Sequence, residues 1–181
     1  MAQIIPLDAI DPLLVEQLLD EAFGPEREAR TAYRIRTGME WLPALSFAAL
    51  DDDDFLAGSI QIWPVSLTDA QGRAHPLLMV GPVAVAPARQ NQGYGKALMT
   101  ASLEAIENIA RSAPPALPQI MIGDAEYYGQ WGFSADHTAG WRCPGPWEND
   151  RLLVRHAFPA LLPQDGMLGP WLAHTPPLTA K

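Results

Sequence analysis

Cysteine is almost absent from this 181-residue chain, where Cys143 stands alone. One thiol cannot close an internal disulfide, and it cannot build a multi-thiolate metal site. Positive charge is also scarce. Twelve Lys and Arg face twenty-one Asp and Glu, a formal charge of -9 at pH 7, and the field of such a surface repels polyanions while attracting cations. Nucleic acid is therefore not an expected partner, and a basic or amine-bearing one is. Long apolar runs are missing too, since charge or proline interrupts each before the ~18 to 20 residues a membrane span needs. The start Met1-Ala2-Gln3-Ile4-Ile5-Pro6 lacks the basic segment and apolar core of a signal peptide. The expected location is cytoplasmic, with no membrane partner.

What is present is the composition of a folding domain: 48% hydrophobic and 18% charged residues. The length suits one domain of about 100 to 200 residues. Cys143 reads as a small buried filler. The run Asp51-Asp52-Asp53-Asp54 sits between two apolar segments and reads as a solvated hairpin turn, not a metal site, because consecutive carboxylates point in different directions. Prolines gather at Pro114-Pro115-Ala116-Leu117-Pro118 and after Phe158, marking a loop and an irregular C-terminal tail. The expected division is one domain over 1–158 and a Pro-rich extension over 159–181.

Residues 3–7 predict a short strand. Asp11 with Pro12 predicts a helix start, with Leu14, Leu18, Leu19 and Ala22 as its apolar stripe and Gly24-Pro25 as its stop. A second helix is expected from about Glu26 to Thr37, ending at Gly38. Residues 46–50 and 55–67 flank the aspartate turn as an antiparallel pair, and Leu77 to Val85 is a near-continuous apolar strand. Tyr94 to about Ala110 carries Leu98, Met99, Leu103, Ile106 and Ile109 at helical spacing. Gln119–Ile122 predicts a buried strand, Asp124 a cap for a short helix through Trp131, and residues 140–143 and 152–158 two further strands. The order is β-α-α-β-β-β-α-β-α-β-β, a mixed α/β fold with helices on both faces of its sheet.

The chemistry-bearing stretch is Val83-Ala84-Val85-Ala86-Pro87-Ala88-Arg89-Gln90-Asn91-Gln92-Gly93-Tyr94-Gly95-Lys96. A strand passes there through a glycine-containing loop into the start of the strongest helix. Free N–H groups and the positive helix end suit a phosphate or pyrophosphate. Gly93 and Gly95 permit close approach, and Lys96 and Arg89 add positive charge. A nucleotide P-loop is excluded, because Gln90 stands where its first glycine belongs and Ala97 where its magnesium-binding hydroxyl belongs. A dinucleotide fingerprint needs a third small residue where Leu98 stands. A glycine turn without any ligand is the plain alternative.

These residues resemble the GNAT family of N-acetyltransferases. Gln90-Asn91-Gln92-Gly93-Tyr94-Gly95 is similar to its acyl-CoA motif of Gln or Arg, two residues, Gly, one residue, Gly or Ala. Tyr127-Tyr128-Gly129-Gln130-Trp131-Gly132-Phe133 resembles its aromatic, Tyr, three residues, Gly-Phe ending. With Val80-Gly81-Pro82-Val83-Ala84-Val85, the wording is most similar to the YhbS-like predicted acetyltransferases of bacteria. The resemblance covers roughly residues 3–158. It implies a mostly antiparallel sheet of six to seven strands and acetyl-CoA as cosubstrate, bound by Val83, Ala84, Val85, Gln90, Asn91, Gln92, Gly93, Tyr94, Gly95 and Lys96. It implies Tyr128 as the general acid, since a phenol of pKa near 10 matches a nascent thiolate. Tyr127 is expected to be core. Transfer of an acetyl or short acyl group to a primary amine of a small molecule or protein follows, with no metal, and a homodimer is left open.

Pro82 cannot donate a ladder hydrogen bond, so a bulge is expected at Gly81-Pro82. Many relatives carry a Glu on the strand before the loop, whereas Leu77 to Ala86 has no ionisable side chain. Glu40, His75, Glu126 and His137 are ordinary surface residues on this reading and none is assigned as the base. Trp41, Trp63 and Trp141 suit either an acceptor pocket or the core. The missing carboxylate leaves a second function open: a non-catalytic acyl-CoA sensor or interaction module.

Overall fold

In the computed structural model, which describes residues 2–172, the chain's opening follows its local chemistry. Strand β1 (Gln3–Pro6) leads to helix α1 (Pro12–Phe23). The Asp11 carboxylate accepts from the Leu13 N–H at 2.9 Å, and Pro12 takes the first helical position, where no donor is needed. The buried stripe is Val15, Leu18 and Leu19. Leu14, expected in it, is 49% exposed, because the helix presents the next residue along to the core.

The expected second helix is broken. A 3-10 turn over Arg27–Ala29 precedes α2 (Thr31–Ile35). Arg27 is buried and spends its guanidinium on Glu16 and Asp20 of α1, while the Thr31 hydroxyl donates to the Pro146 carbonyl. Each partner lies outside the segment, so helical periodicity did not decide its shape.

Strands β2 (Phe47–Leu50), β3 (Leu56–Thr68) and β4 (Ala74–Val85) follow, then α3 (Tyr94–Ala110), β5 (Gln119–Ile122), α4 (Ala125–Tyr128), β6 (Gly140–Arg142), β7 (Leu152–Arg155) and β8 (Asp165–Pro170). Among the described residues the sheet has eight strands, with the path β1-β2-β3-β4-β5-β7 and with β8 paired to β3 and β6. β1 with β2, β2 with β3, β5 with β7 and β3 with β8 are antiparallel; β4 with β5 and β6 with β8 are parallel. The eighth strand lies in the segment expected to be irregular. Its sequence Asp-Gly-Met-Leu-Gly-Pro has no strand periodicity, and pairing from Val65–Pro170 to Thr68–Met167 holds it.

The chain divides into two units, one of residues 2–29, 41–62 and 80–116, the other of residues 30–40, 63–79 and 117–172. In the first, Ala48 on β2 packs with Leu7, Val15, Leu18, Leu19 and Ala84. Its neighbour Ala49 pairs with Gly58, whose α-carbon faces the Leu98 side chain of α3. Successive residues of a strand point to opposite faces, so α1 and α3 cover opposite faces there. In the second unit Val65, Leu67, Leu77, Met79, Ile120, Leu152 and Leu168 form a core with fully buried Trp141. Cys143 is buried in the same core, and burial pushes its thiol up to about 11, as befits a filler.

Candidate functional site

In the first unit β4 ends at Val85, and the Ala86 N–H bonds the Ala57 carbonyl at 2.8 Å. A 3-10 turn over Pro87–Arg89 closes with the Arg89 N–H on the Ala86 carbonyl at 2.8 Å. The chain then adopts φ 63° at Asn91 and φ 89° at Gly93 before entering α3. The second value is in the left-handed region that glycine tolerates.

The α3 N-terminus differs from those of α1 and α4. Asp11 caps α1, and Asp124 caps α4 by accepting from the Glu126 N–H at 3.0 Å, as expected from the sequence. Gly93 at the N-cap of α3 has no side chain to offer. Among the described residues, no acceptor meets the N–H groups of Gly93, Tyr94, Gly95 or Lys96. These are the orphan donors of a 17-residue helix, at the positive end of its dipole. Lys96 is exposed on the first turn.

Gly95 and Val85 come together. A Cβ added at Gly95 would lie 3.7 Å from Val85 Cγ2, an ordinary contact. The fold itself therefore leaves room for a Cβ at 95, and glycine keeps that space open. Gln90, Asn91 and Gln92 are exposed, Tyr94 is 8% exposed, and Ala84 packs in the α1 core. Ala84 has only its backbone to present. Gly81, before Pro82, has φ 125°, so the strand is irregular there.

Arg89, expected to add local positive charge, is engaged by a carboxylate. Its Nε and Nη2 donate to Asp51 Oδ2 at 3.1 and 2.8 Å. Asp51 is 6% exposed, and its Oδ1 accepts from the N–H groups of Asp53 and Phe55 at 2.9 and 3.0 Å. The Arg89 bonds, then the Phe55 N–H, hold its carboxyl below the usual carboxylate range. The first residue of the aspartate run is thus a buried anchor and not part of a solvated turn. Its partner lies 38 positions away, and no local signal announces the pair.

In the second unit Tyr128 closes α4, its N–H bonded to the Asp124 carbonyl at 2.9 Å. Its ring packs edge-on against Tyr127 at 4.9 Å between centroids and tilted toward Trp131 at 6.0 Å. Burial, then the neighbouring Tyr127, raises its phenol above the ordinary 10.0. The ring also occupies the space over Gly123, where an added Cβ would stand 2.6 Å from Tyr128 Cε2. Gly123 is the seat of Tyr128, and sequence reasoning missed it. Tyr127, expected in the core, is 41% exposed.

Glu40, Glu126 and His137 are exposed, and His75 Nε2 is 2.9 Å from Asp69 Oδ2. Trp141 is core, its Nε1 donating to the Pro163 carbonyl at 2.8 Å. Trp41 packs against the α1 core, and the Trp63 ring lies 4.1 Å from the Arg36 guanidinium. No group of three or more metal-ligating side chains occurs among the described residues, nor does any helix long and apolar enough to cross a membrane.

Comparison with known proteins adds the family. The pattern described as "Acetyltransferase (GNAT) domain" matches residues 9–134. No curated protein matches the chain. The structure of the GNAT family N-acetyltransferase YhbS from Escherichia coli, in complex with CoA, is 24% identical and covers 94% of this chain and 89% of its own, with a TM-score of 0.65. A GNAT family acetyltransferase from Brucella melitensis, in complex with acetyl-CoA, is also 24% identical, covering 87% of this chain and 97% of its own with a TM-score of 0.51. A probable N-acyltransferase from Enterococcus faecalis is 17% identical, with a TM-score of 0.52, and this chain spans 33% of its length. The sheet with its four helices has the architecture of these structures, and the pattern match extends from α1 through the turn after α4: the chain belongs to the GNAT family of acetyltransferases.

Proposed function

We propose that this protein transfers an acetyl or short acyl group from acyl-CoA to a primary amine. One observation carries the reading: the uncapped start of α3, where Gly93 to Lys96 leave four N–H groups without an acceptor among the described residues. A pyrophosphate is the anion that fits, with Lys96 beside it and Gly95 leaving room for its approach. Gln90, Asn91, Gln92 and Tyr94 complete the binding stretch. Val83, Ala84 and Val85 offer backbone groups to the pantetheine arm. The repulsion expected from a chain of formal charge -9 is overcome locally by the helix end, which falls off within one turn.

Bound acetyl-CoA supplies a thioester, whose acyl carbon an amine nitrogen attacks as the carbon–sulfur bond breaks. In this reading Tyr128 gives its phenolic proton to the departing sulfur. Its raised pKa keeps the phenol protonated through neutral pH, the state a proton donor needs. The amine proton leaves to a water relay or to an acidic residue from elsewhere in the chain, since Leu77 to Ala86 carries no ionisable side chain. A cytoplasmic location belongs to the same proposal, with free Cys143 at home in a reducing compartment.

The test is release of free thiol from acetyl-CoA in the presence of a panel of amines, polyamines and peptides. Amine-dependent release above background supports transfer, and the acidic surface favours cationic acceptors. CoA binding without turnover on any acceptor, unchanged in Tyr128→Phe, supports the non-catalytic module instead.

A further inference from the structure

The cofactor loop has an anchor outside itself. Gln90 to Gly93 must hold two left-handed residues, Asn91 and Gly93, to aim the α3 N–H groups at one point. An exposed stretch with few bonds of its own does not stay in such a conformation without help. Its only side-chain tether among the described residues is weak, Gln92 Nε2 to the Ala88 carbonyl at 3.5 Å. Immediately before it, Arg89 is gripped through two nitrogens by Asp51 Oδ2.

Asp51 is itself immobilised. It is buried, its Oδ1 accepts two backbone N–H groups, and its own N–H bonds the Phe55 carbonyl at 2.9 Å. The turn between β2 and β3 therefore acts as a fixed post. Two nitrogens on one carboxylate oxygen fix both the position and the plane of the guanidinium, which a single charge contact would not.

We propose that Asp51 is a positioning residue for acyl-CoA binding: by clamping Arg89 to the β2–β3 turn, it sets the loop from Gln90 to Gly95 in its anion-binding conformation before the ligand arrives. This rests on the reading of that loop as the pyrophosphate site. The clamp also offsets the Arg89 charge with the Asp51 carboxylate, so the net charge offered to the ligand comes mainly from the helix end and Lys96. Preorganisation of this kind improves affinity by removing an ordering cost from the binding step.

The sign of the effect separates this from simple electrostatics. Removing an acid from a chain of formal charge -9 should, through the field alone, tighten binding of an anion. The clamp requires the opposite. Calorimetric titration of CoA into the full chain would compare the parent with Asp51→Asn, Arg89→Gln, the double variant, and Asp53→Asn, which removes an exposed acid and leaves the clamp intact. Asp51→Asn should weaken CoA binding about tenfold, the scale of ordering roughly one residue on binding. Asp53→Asn should bind as the parent does or more tightly. The double variant should be no weaker than the worse single one. Initial rates should show a raised KM for acetyl-CoA with kcat at saturation within about twofold, a split that general destabilisation does not produce.

If Asp51→Asn does not fold, Arg89→Gln at a partly exposed position carries the same expectation and, with Arg89→Lys, the same decision. A folded Asp51→Asn or Arg89→Gln that binds CoA as tightly as the parent overturns the clamp alone. A folded parent that binds no CoA overturns the clamp together with the reading of the loop.

Discussion

Tyr128 carries the chemical part of the account, and its hydroxyl is separable from its ring. Tyr128→Phe keeps the contacts with Tyr127, Trp131 and Gly123. Melting temperature and CoA affinity should therefore stay near the parent's, while turnover falls by roughly 10²- to 10⁴-fold, the usual worth of a positioned acid. Activity of the parent should decline on the alkaline side only above the ordinary phenol value of 10.0, because burial raises this one. That limb should vanish in the variant. Unchanged turnover where chemistry limits the rate would leave Tyr128 a packing residue. Gly123 supplies a complementary test. An added methyl at 2.6 Å from the ring forces the phenol to move, so Gly123→Ala should lower kcat and leave the Kd for CoA unchanged. Equal kcat in a folded Gly123→Ala would show that the ring's seat does not matter.

At the scale of elements, α3 was legible because its signals are local: apolar residues at helical spacing with a glycine loop before them. The caps at Asp11 and Asp124 were legible for the same reason, each carboxylate reaching a backbone N–H two residues on. Strand β8 and the clamp at Asp51 were not. Gly166 in β8 lies so close to Leu67 that an added Cβ would meet its Cγ at 2.7 Å, a reason for glycine that only the folded chain contains. The second hairpin turn is built like the first. Asp69 takes in the N–H groups of Gln71 and Arg73, the Arg73 Nε and His75, and the His75 bond, then that of the Arg73 N–H, holds its carboxyl well below the usual range. For both aspartates the folded pKa is depressed, so their stabilisation is full above the unfolded value of about 3.9 and is lost as pH falls through the folded one. Melting temperature should fall steeply below about pH 4, and Asp69→Asn should flatten that fall. Parallel acid profiles for parent and variant would remove Asp69 from the explanation.

For the whole molecule, an acidic chain that takes an anionic cosubstrate, as proposed, needs one local feature to reconcile the two, the bare start of α3. On the proposed reading, net charge governs what the surface attracts and the helix end governs what the loop holds. The family was legible in the sequence because the loop motif, the α4 ending and the order of elements agree, whereas the acceptor leaves no such local mark. The most direct test of the central claim is a calorimetric titration of CoA into the full chain and into Gly95→Val. Gly95 is not held at positive φ, and its added Cβ meets only Val85 at 3.7 Å, so the variant should fold with a melting temperature close to the parent's. Binding to the parent should be saturable, and in the variant it should weaken by orders of magnitude, as charge-assisted bonds worth about 1.5–3 kcal/mol each are denied to the pyrophosphate. A parent that binds no CoA, or a folded Gly95→Val that binds it as the parent does, would contradict the account.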